Sequence, residues 1–395
     1  MSYDKTKKAA FRQTAIFPLS GDPITLGHVD IITRASEIFP EIIVLIADNP
    51  QKKYMLPMEL RKETARVSLK NIRNVTVDST QGLVADYAYE RKIRILIRGL
   101  RNEADLHTEV QLHQGNVAQN EDLETMYLLA EKNFADVSSS LIRVLVTQSG
   151  DIRNFVPICV KQKLEEYVAG QYRVCVTGPI ASGKSEVLRH ISEMAEKMSI
   201  PCSVIDMDEV TKDIYAFPEK YNNFQDELTR VLGTTILHRS GGINLKKVKE
   251  IIFSDADGKL LRRLNDIFES PLQHGLHCRL AGQRGLIFIA GARITQYSWL
   301  SHANFNTLYV YASDAIRKER LIQRDRISKV MAERKLSLFG TGRDMCKEIS
   351  EAIQSVNYGT LVQFCNENAL SSGKVLNLLR NIVKIFPQLE KIHSL

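Results

Sequence analysis

The chain of 395 residues carries 53 lysines and arginines against 46 aspartates and glutamates, a formal net charge of +7. At 44% hydrophobic and 25% charged residues it has the balance of a soluble globular protein, with length enough for two domains and two cores. No apolar run reaches membrane-spanning length, and the polar, basic start "MSYDKTKKAAFRQ" lacks a signal-peptide pattern. Cys159, Cys175, Cys202, Cys278, Cys346 and Cys365 are scattered without a C-x-x-C pair. That argues against a disulfide framework or zinc site and for a reducing cytoplasm. Basic residues are interleaved with acids, as in "SDAIRKERLIQRDR", so neither nucleic acid nor membrane is expected as a partner.

After an N-terminal extension (1–13), "TAIFPLSGDPITLGHVDIITRASEIF" reads as strand, turn at Asp22-Pro23, then a helix opening at Gly27-His28. Glycine there lets backbone approach a phosphate, and helix N-terminal amides favour an anion. A histidine at that place can donate to phosphate oxygens in a transition state. The plainer alternative is a turn whose histidine caps the helix or faces solvent. Further strands are expected at "EIIVLIAD", "NVTVDS", "IRILIRG" and "LETMYLLA", with helices at "LRKETARVSLKNI" and "SSLIRVLVTQ". Lys52 and Lys53 follow the first of these strands, Arg98 and Arg101 close the third, and Ser138–Ser140 open the second helix. Singly these are solvated charges and an ordinary N-cap. Jointly they surround one crevice with the cations, hydroxyls and amides that a polyphosphate requires.

A boundary falls near "VKQKLEEYVAGQYR", where a helix stops at Gly170 and a strand begins. The next loop, "GPIASGKS", has the spacing G-x-x-x-x-G-K-S from Gly178 to Ser185, a phosphate loop. Lys184 is expected to neutralise β- and γ-phosphates and Ser185 to bind Mg2+. Beyond "PCSVIDMD", Asp206 and Asp208 sit two apart at a strand end. Asp208 is a candidate base or magnesium ligand, or alternatively a helix cap. With "YRVCVTG", "GLIFIAG" and "TLYVYAS" as the other strands, the chain is expected to be α/β. It should form two parallel-sheet nucleotide-binding domains with ligands beyond the strands' carboxyl ends; resemblance to known families implies a Rossmann-like nucleotidyltransferase followed by a P-loop kinase.

Residues 14–168 resemble bacterial phosphopantetheine adenylyltransferase, a nucleotidyltransferase with a T-x-G-H signature, here "TLGH". The elements "DPITxGHxD", "NPxKK", "RGLR" and "SSS" occur in order. The resemblance implies transfer of AMP from ATP to 4′-phosphopantetheine, giving dephospho-coenzyme A and pyrophosphate. By matched position His28 would be catalytic, and Ser20, Lys52, Val84 and Arg98 would hold the pantetheine substrate. ATP would be held by Ser20, Gly21, His28, Gly99, Leu100, Arg101, Glu109, Phe134, Ser138, Ser139 and Ser140. No covalent nucleophile is implied. Leu19, Ser20, Gly21 and Leu26 depart from the family's usual glycine, threonine, phenylalanine and asparagine. The resemblance also implies a homo-oligomer formed through this half.

Residues 172–370 resemble dephospho-coenzyme A kinase: "GPIASGKS" matches the family's "GxxGSGKS", and "DMDEVTK" its "DADxxAR". Lys184 and Asp208 would be catalytic and Ser185 would hold the metal. Gly178, Ala181, Ser182, Gly183, Lys184, Ser185, Glu186, Arg320 and Arg324 would bind ATP. Ser270 stands where the family has histidine, and "ARITQ" lacks an acid usual there. Residues 371–395 read as a C-terminal tail. The combined expectation is a bifunctional enzyme making coenzyme A, with ATP, 4′-phosphopantetheine and dephospho-coenzyme A as ligands and Mg2+ as cofactor. The alternative keeps the transferase and makes the second half a non-catalytic nucleotide-binding or assembly module.

Overall fold

The computed structural model describes residues 13–134, 137–221, 223–238, 242–254, 259–291, 297–338 and 342–389. The chain divides into two units after Ala169.

In the first unit, strands β1 (Ala15–Leu19), β2 (Ile42–Ala47), β3 (Val75–Thr80), β4 (Ile95–Leu100) and β5 (Glu124–Leu129) form one parallel sheet. Its order is β3-β2-β1-β4-β5. Helices α1 (Leu26–Ser36), α2 (Met58–Leu69), α3 (Val84–Glu90), α4 (Glu103–Gln119), α5 (Ser139–Thr147) and α6 (Ile158–Leu164) connect and follow the strands. Every residue of β1 is buried, as expected of a central parallel strand covered on both faces. The edge strand β5 has no fully buried residue. Strand order reverses at β1, so the carboxyl ends of β1 and β4 open a crevice. Helix α1 seats Ile31, Ile32 and Ala35 in the core, which orients its amino end at that crevice. Helix α4 buries none of its residues.

In the second unit, β6 (Gln171–Thr177), β7 (Cys202–Asp206), β8 (Gly285–Ala290), β9 (Thr307–Tyr311) and β10 (Leu361–Cys365) are again parallel. Their order is β10-β9-β6-β8-β7. The reversal falls at β6, whose carboxyl end runs into the phosphate loop and then α7 (Lys184–Lys197). Strand β7 runs directly into α8 (Met207–Ala216). Strand β10 was not among the expected strands: "LVQFC" is short, half exposed and without alternation, because it is an edge.

The stretch read as a tail contains the helix Ser372–Val383. It is capped by the Ser371 side chain, which accepts from the Lys374 amide at 3.4 Å. Val375, Leu378, Leu379, Ile382 and Val383 recur at helical spacing and are buried in one cluster with Val187, Leu188 and Ile191 of α7. Beyond the helix, Phe386 meets Tyr172 edge-on, ring centroids 5.5 Å apart. These contacts make the helix part of the second core. Among the described residues, no helix is long and apolar enough to cross a membrane.

Leu379 is fully buried. Leu379→Ala should therefore destabilise the second unit by about 2–5 kcal/mol, the cost of a buried leucine truncation. Chemical denaturation followed by a probe in that unit measures it, and a loss under about 0.5 kcal/mol would place the helix outside the cooperative core.

Candidate active site

The first crevice is built around the turn between β1 and α1. Gly21 there has φ +61°, the left-handed region that glycine enters freely, so glycine in place of the family's phenylalanine matches the path of the backbone. Thr25 caps α1 by accepting from the His28 amide at 3.3 Å. In return the Thr25 amide donates to His28 Nδ1 at 3.0 Å, closing a capping box in which histidine takes the usual glutamate's part. Because Nδ1 accepts a backbone N–H, the neutral ring carries its proton on Nε2. Burial, then the nearby Arg98 and Arg101 charges, push the His28 pKa down to about 4. His28 thus takes part in the cap of the helix, the plainer alternative read from sequence, and also presents an uncharged Nε2–H donor.

Two buried groups that sequence reading missed brace this turn. The Asp22 carboxylate accepts from the Met55 amide and the Leu56 amide, each at 2.9 Å, and from Arg143 of α5 at 3.2 Å. It ties the β1–α1 turn both to the end of the loop carrying Lys52 and to the serine helix. Arg61 of α2, 1% exposed, donates to the Ser20 carbonyl at 2.7 Å and to Asp48, and lies 3.9 Å from the Tyr54 ring centroid. Its Nε is buried without a partner.

At the end of β4, Arg98 pairs through two nitrogens with Glu109 of α4, one contact at 2.7 Å, and also donates to the Pro18 carbonyl. Arg101 pairs with Asp105 in the same two-nitrogen fashion, both at 2.8 Å. Each guanidinium is therefore aimed before any phosphate arrives. In this state Glu109, expected to contact ATP, orients Arg98. Gly99 approaches α1 so closely that a Cβ would lie 2.2 Å from Ile31, and Leu100 is buried beside it. Phe134 reaches Gly27, whose Cβ would be 3.3 Å from that of Phe134. Ser138 caps α5 by accepting from the Leu141 amide at 3.1 Å, Ser139 donates to the Pro23 carbonyl at 2.9 Å, and Arg143 donates to Ser140 at 3.0 Å. Lys52 lies on an exposed turn and Val84 opens α3, half buried. His28, Arg98, Arg101 and the serine helix are thus joined by hydrogen bonds and charge, whereas among the described residues no hydrogen bond or ion pair joins Lys52 or Val84 to them.

The second crevice is the phosphate loop. Lys184 Nζ donates back to the Gly178 carbonyl at 2.8 Å and the Pro179 carbonyl at 3.3 Å. Burial and the positive Arg317 and Arg324 push its pKa down to about 8, with Asp208 and Asp206 acting the other way. Ala181 sits at φ +60°, a position where the family pattern has glycine, so the loop carries local strain of about 1–2 kcal/mol. Ser185 and Glu186 are exposed in the first turn of α7.

The cap of α8 is Asp206, whose carboxylate accepts from the Asp208 amide at 2.9 Å. Asp208 is thereby free of the capping role. Burial and the neighbouring Asp206 raise its pKa above the ordinary value, while Lys184 and Lys212 act to lower it. Arg320 donates to the Ser182 carbonyl at 3.1 Å, and Arg324 is paired with Asp325 at 2.7 Å. Arg317, missed in the sequence, is 2% exposed and donates to the Ile180 carbonyl at 2.9 Å. Its Nη2 is buried without a partner, as is the Ser182 hydroxyl. Ser270 is exposed on a helix, and the "ARITQ" position, residues 292–296, lies outside the described residues.

His28 should remain unprotonated until the pH falls towards 4, some two units below an unperturbed histidine. Nitrogen-detected NMR should find its Nδ1 unprotonated at pH 5.5, where exposed histidines are charged. A protonated His28 ring at that pH would refute the tautomer assigned above.

Residues 20–145 match the cytidylyltransferase-like family model, and residues 172–339 match the dephospho-CoA kinase family model. A phosphopantetheine adenylyltransferase of Thermotoga neapolitana is 41% identical over 152 residues, 38% of this chain and 94% of that protein. The phosphopantetheine adenylyltransferase of Thermosynechococcus vestitus is 38% identical over 151 residues, covering 38% of this chain and 90% of its own length. That of Campylobacter jejuni RM1221 is 42% identical over 144 residues, covering 36% and 91%. Through its first unit the chain belongs to the phosphopantetheine adenylyltransferase family, and its second unit is a dephospho-CoA kinase domain.

Proposed function

We propose that this chain joins two successive reactions: adenylyl transfer from ATP to 4′-phosphopantetheine, and ATP-dependent phosphorylation of the resulting dephospho-coenzyme A. One observation carries the reading: a neutral His28 donor between two oriented arginines, in the same chain as a phosphate loop with Lys184 and Asp208. In the first reaction a phosphate oxygen of 4′-phosphopantetheine attacks the α-phosphorus of ATP, and the bond to pyrophosphate breaks. Lys52 and Arg98 hold the attacking phosphate, with Ser20 and Val84 lining its path. Arg101, Phe134 and the serine helix hold ATP. His28 Nε2–H donates to the oxygen that gains charge, with no proton transferred. In the second reaction Asp208 accepts the proton of the acceptor hydroxyl, and its raised pKa suits that task. Lys184 and the loop amides neutralise the phosphates.

The Ser185 hydroxyl, with Asp206 and Asp208 at the end of β7, offers hard oxygen donors, which suit Mg2+ held by few protein ligands and the substrate phosphates. When bound, the ion offsets charge on the phosphate oxygens. The apolar Leu106, Val110 and Leu112 exposed on α4 support a homo-oligomer formed through the first unit. Six free thiols support a cytoplasmic location.

His28→Ala should lower the turnover of adenylyl transfer ~100–1000-fold while ATP affinity changes little. Normal turnover with weakened ATP binding would make it a ground-state contact. Asp208→Asn should abolish phosphorylation and leave adenylyl transfer intact, read as dephospho-coenzyme A accumulating without coenzyme A. If the unmutated chain forms no coenzyme A even at saturating dephospho-coenzyme A, the second unit is the non-catalytic module. The missing histidine at Ser270 leads us to expect a high Michaelis constant for that substrate.

A further inference from the structure

The phosphate loop is held from outside by a residue that lies beyond residues 172–339, the span of the kinase family-model match. Asn366 follows β10 and is 1% exposed. Its Nδ2 donates to the Ser182 carbonyl at 3.0 Å. Its own amide donates to the Tyr311 carbonyl at 2.8 Å, at the end of β9. Its carbonyl accepts from Arg320 at 2.9 Å, the same arginine that donates to Ser182 at 3.1 Å. Two donors therefore converge on one carbonyl oxygen, and the second donor is itself positioned by Asn366.

The consequence follows from peptide geometry. In a trans peptide the C=O and N–H point in opposite directions. With the Ser182 carbonyl fixed towards Asn366 and Arg320, the Gly183 N–H is fixed the other way. That amide makes no hydrogen bond among the described residues. It belongs to the set of loop amides that must converge on phosphate oxygens. Gly183 itself has φ +88°, and a Cβ there would lie 2.2 Å from Asn366 Nδ2. Only glycine lets the loop come this near to the asparagine. A peptide free to rotate would lose the amide's direction while keeping Lys184 and Ser185.

We propose that Asn366 is a positioning residue for the kinase reaction, setting the direction of the Gly183 amide through the Ser182 carbonyl. The inference rests on the reading of the second unit as an ATP-using kinase. An amide on a phosphate oxygen is used in the ground state and in the transition state alike, so its loss appears in the Michaelis constant. A packing defect would instead lower the melting temperature and the active fraction, leaving the Michaelis constant for ATP unchanged.

The test uses the whole chain with dephospho-coenzyme A supplied, varying ATP and reading coenzyme A. Adenylyl transfer serves as internal control. Asn366→Ala should raise the Michaelis constant for ATP in the kinase reaction roughly tenfold, with turnover changed less than threefold. Asn366→Asp keeps the volume and replaces the donor by an acceptor, so at pH 8 it should be at least as impaired, and adenylyl transfer should be unchanged in both. An unchanged Michaelis constant for ATP in Asn366→Asp overturns the proposal, as does a loss confined to turnover and melting temperature. Labelling of the second unit by 8-azido-ATP, mapped by peptide mass spectrometry, gives the comparison without turnover. An unmutated chain that labels but makes no coenzyme A defeats the kinase reading. The positioning role is then decided by whether the half-saturating probe concentration shifts in the two variants.

Discussion

A site for polyphosphate must gather positive charge and keep it gathered while no phosphate is there. Like charges in a crevice repel and, if left mobile, swing into solvent. Both units meet this constraint by giving most of these cations an internal acceptor, while Lys52 stays exposed. Arg98 rests on Glu109, Arg101 on Asp105, Arg61 on Asp48 and the Ser20 carbonyl. In the second unit Lys184 rests on the carbonyls of its own loop, and Arg317 and Arg320 on the carbonyls of Ile180 and Ser182. The acceptors differ in kind. Carboxylates hold the first set, main-chain carbonyls most of the second.

That difference follows from where each loop gets its rigidity. The β1–α1 turn is short and is braced by side chains, chiefly the buried Asp22, which collects two amides and a guanidinium. A buried carboxylate that collects three donors fixes all three segments that reach it. The phosphate loop instead encloses its ligand in backbone, so its outward carbonyls need donors around the rim. The helix Asp314–Asp325 supplies them at one-turn spacing from Arg317 and Arg320, and β10 supplies Asn366.

Much of this architecture was legible in the residues. Central parallel strands lie between two helical layers, so β1 and β8 appear as unbroken apolar runs and β6 as the shorter run Val174–Val176. Glycine loops were legible because close backbone approach demands glycine. What stayed hidden shares one cause: a charged or amide side chain reads as solvated unless something says otherwise. Arg61 did carry such a sign, standing beside Leu60 and ahead of Thr64 and Ala65 on the buried face of α2. Arg317 stands four residues before the buried Leu321. A charge in apolar register is the pattern to look for. Asn366 carried none, since it follows an edge strand that is itself weakly marked.

The two sites bind the same nucleotide and are read as breaking different bonds in it, and the placement of charge accounts for the difference. In the first crevice the oriented groups are an uncharged histidine donor and two arginines at a helix start. On the proposed reading, charge developing at the α-phosphorus would be met there by a hydrogen bond rather than by an ammonium. Pyrophosphate can then leave without breaking a strong ion pair at the reacting atom. In the second crevice a buried lysine whose pKa is pushed down to about 8 lies among loop carbonyls beside a carboxylate of raised pKa. On the proposed reading, a cation at the terminal phosphates favours breaking the bond to the last of them, and Asp208, near enough to act on the lysine's charge, would take the acceptor's proton. Bond choice would then follow from which phosphate meets the lysine of the loop and which meets the uncharged histidine.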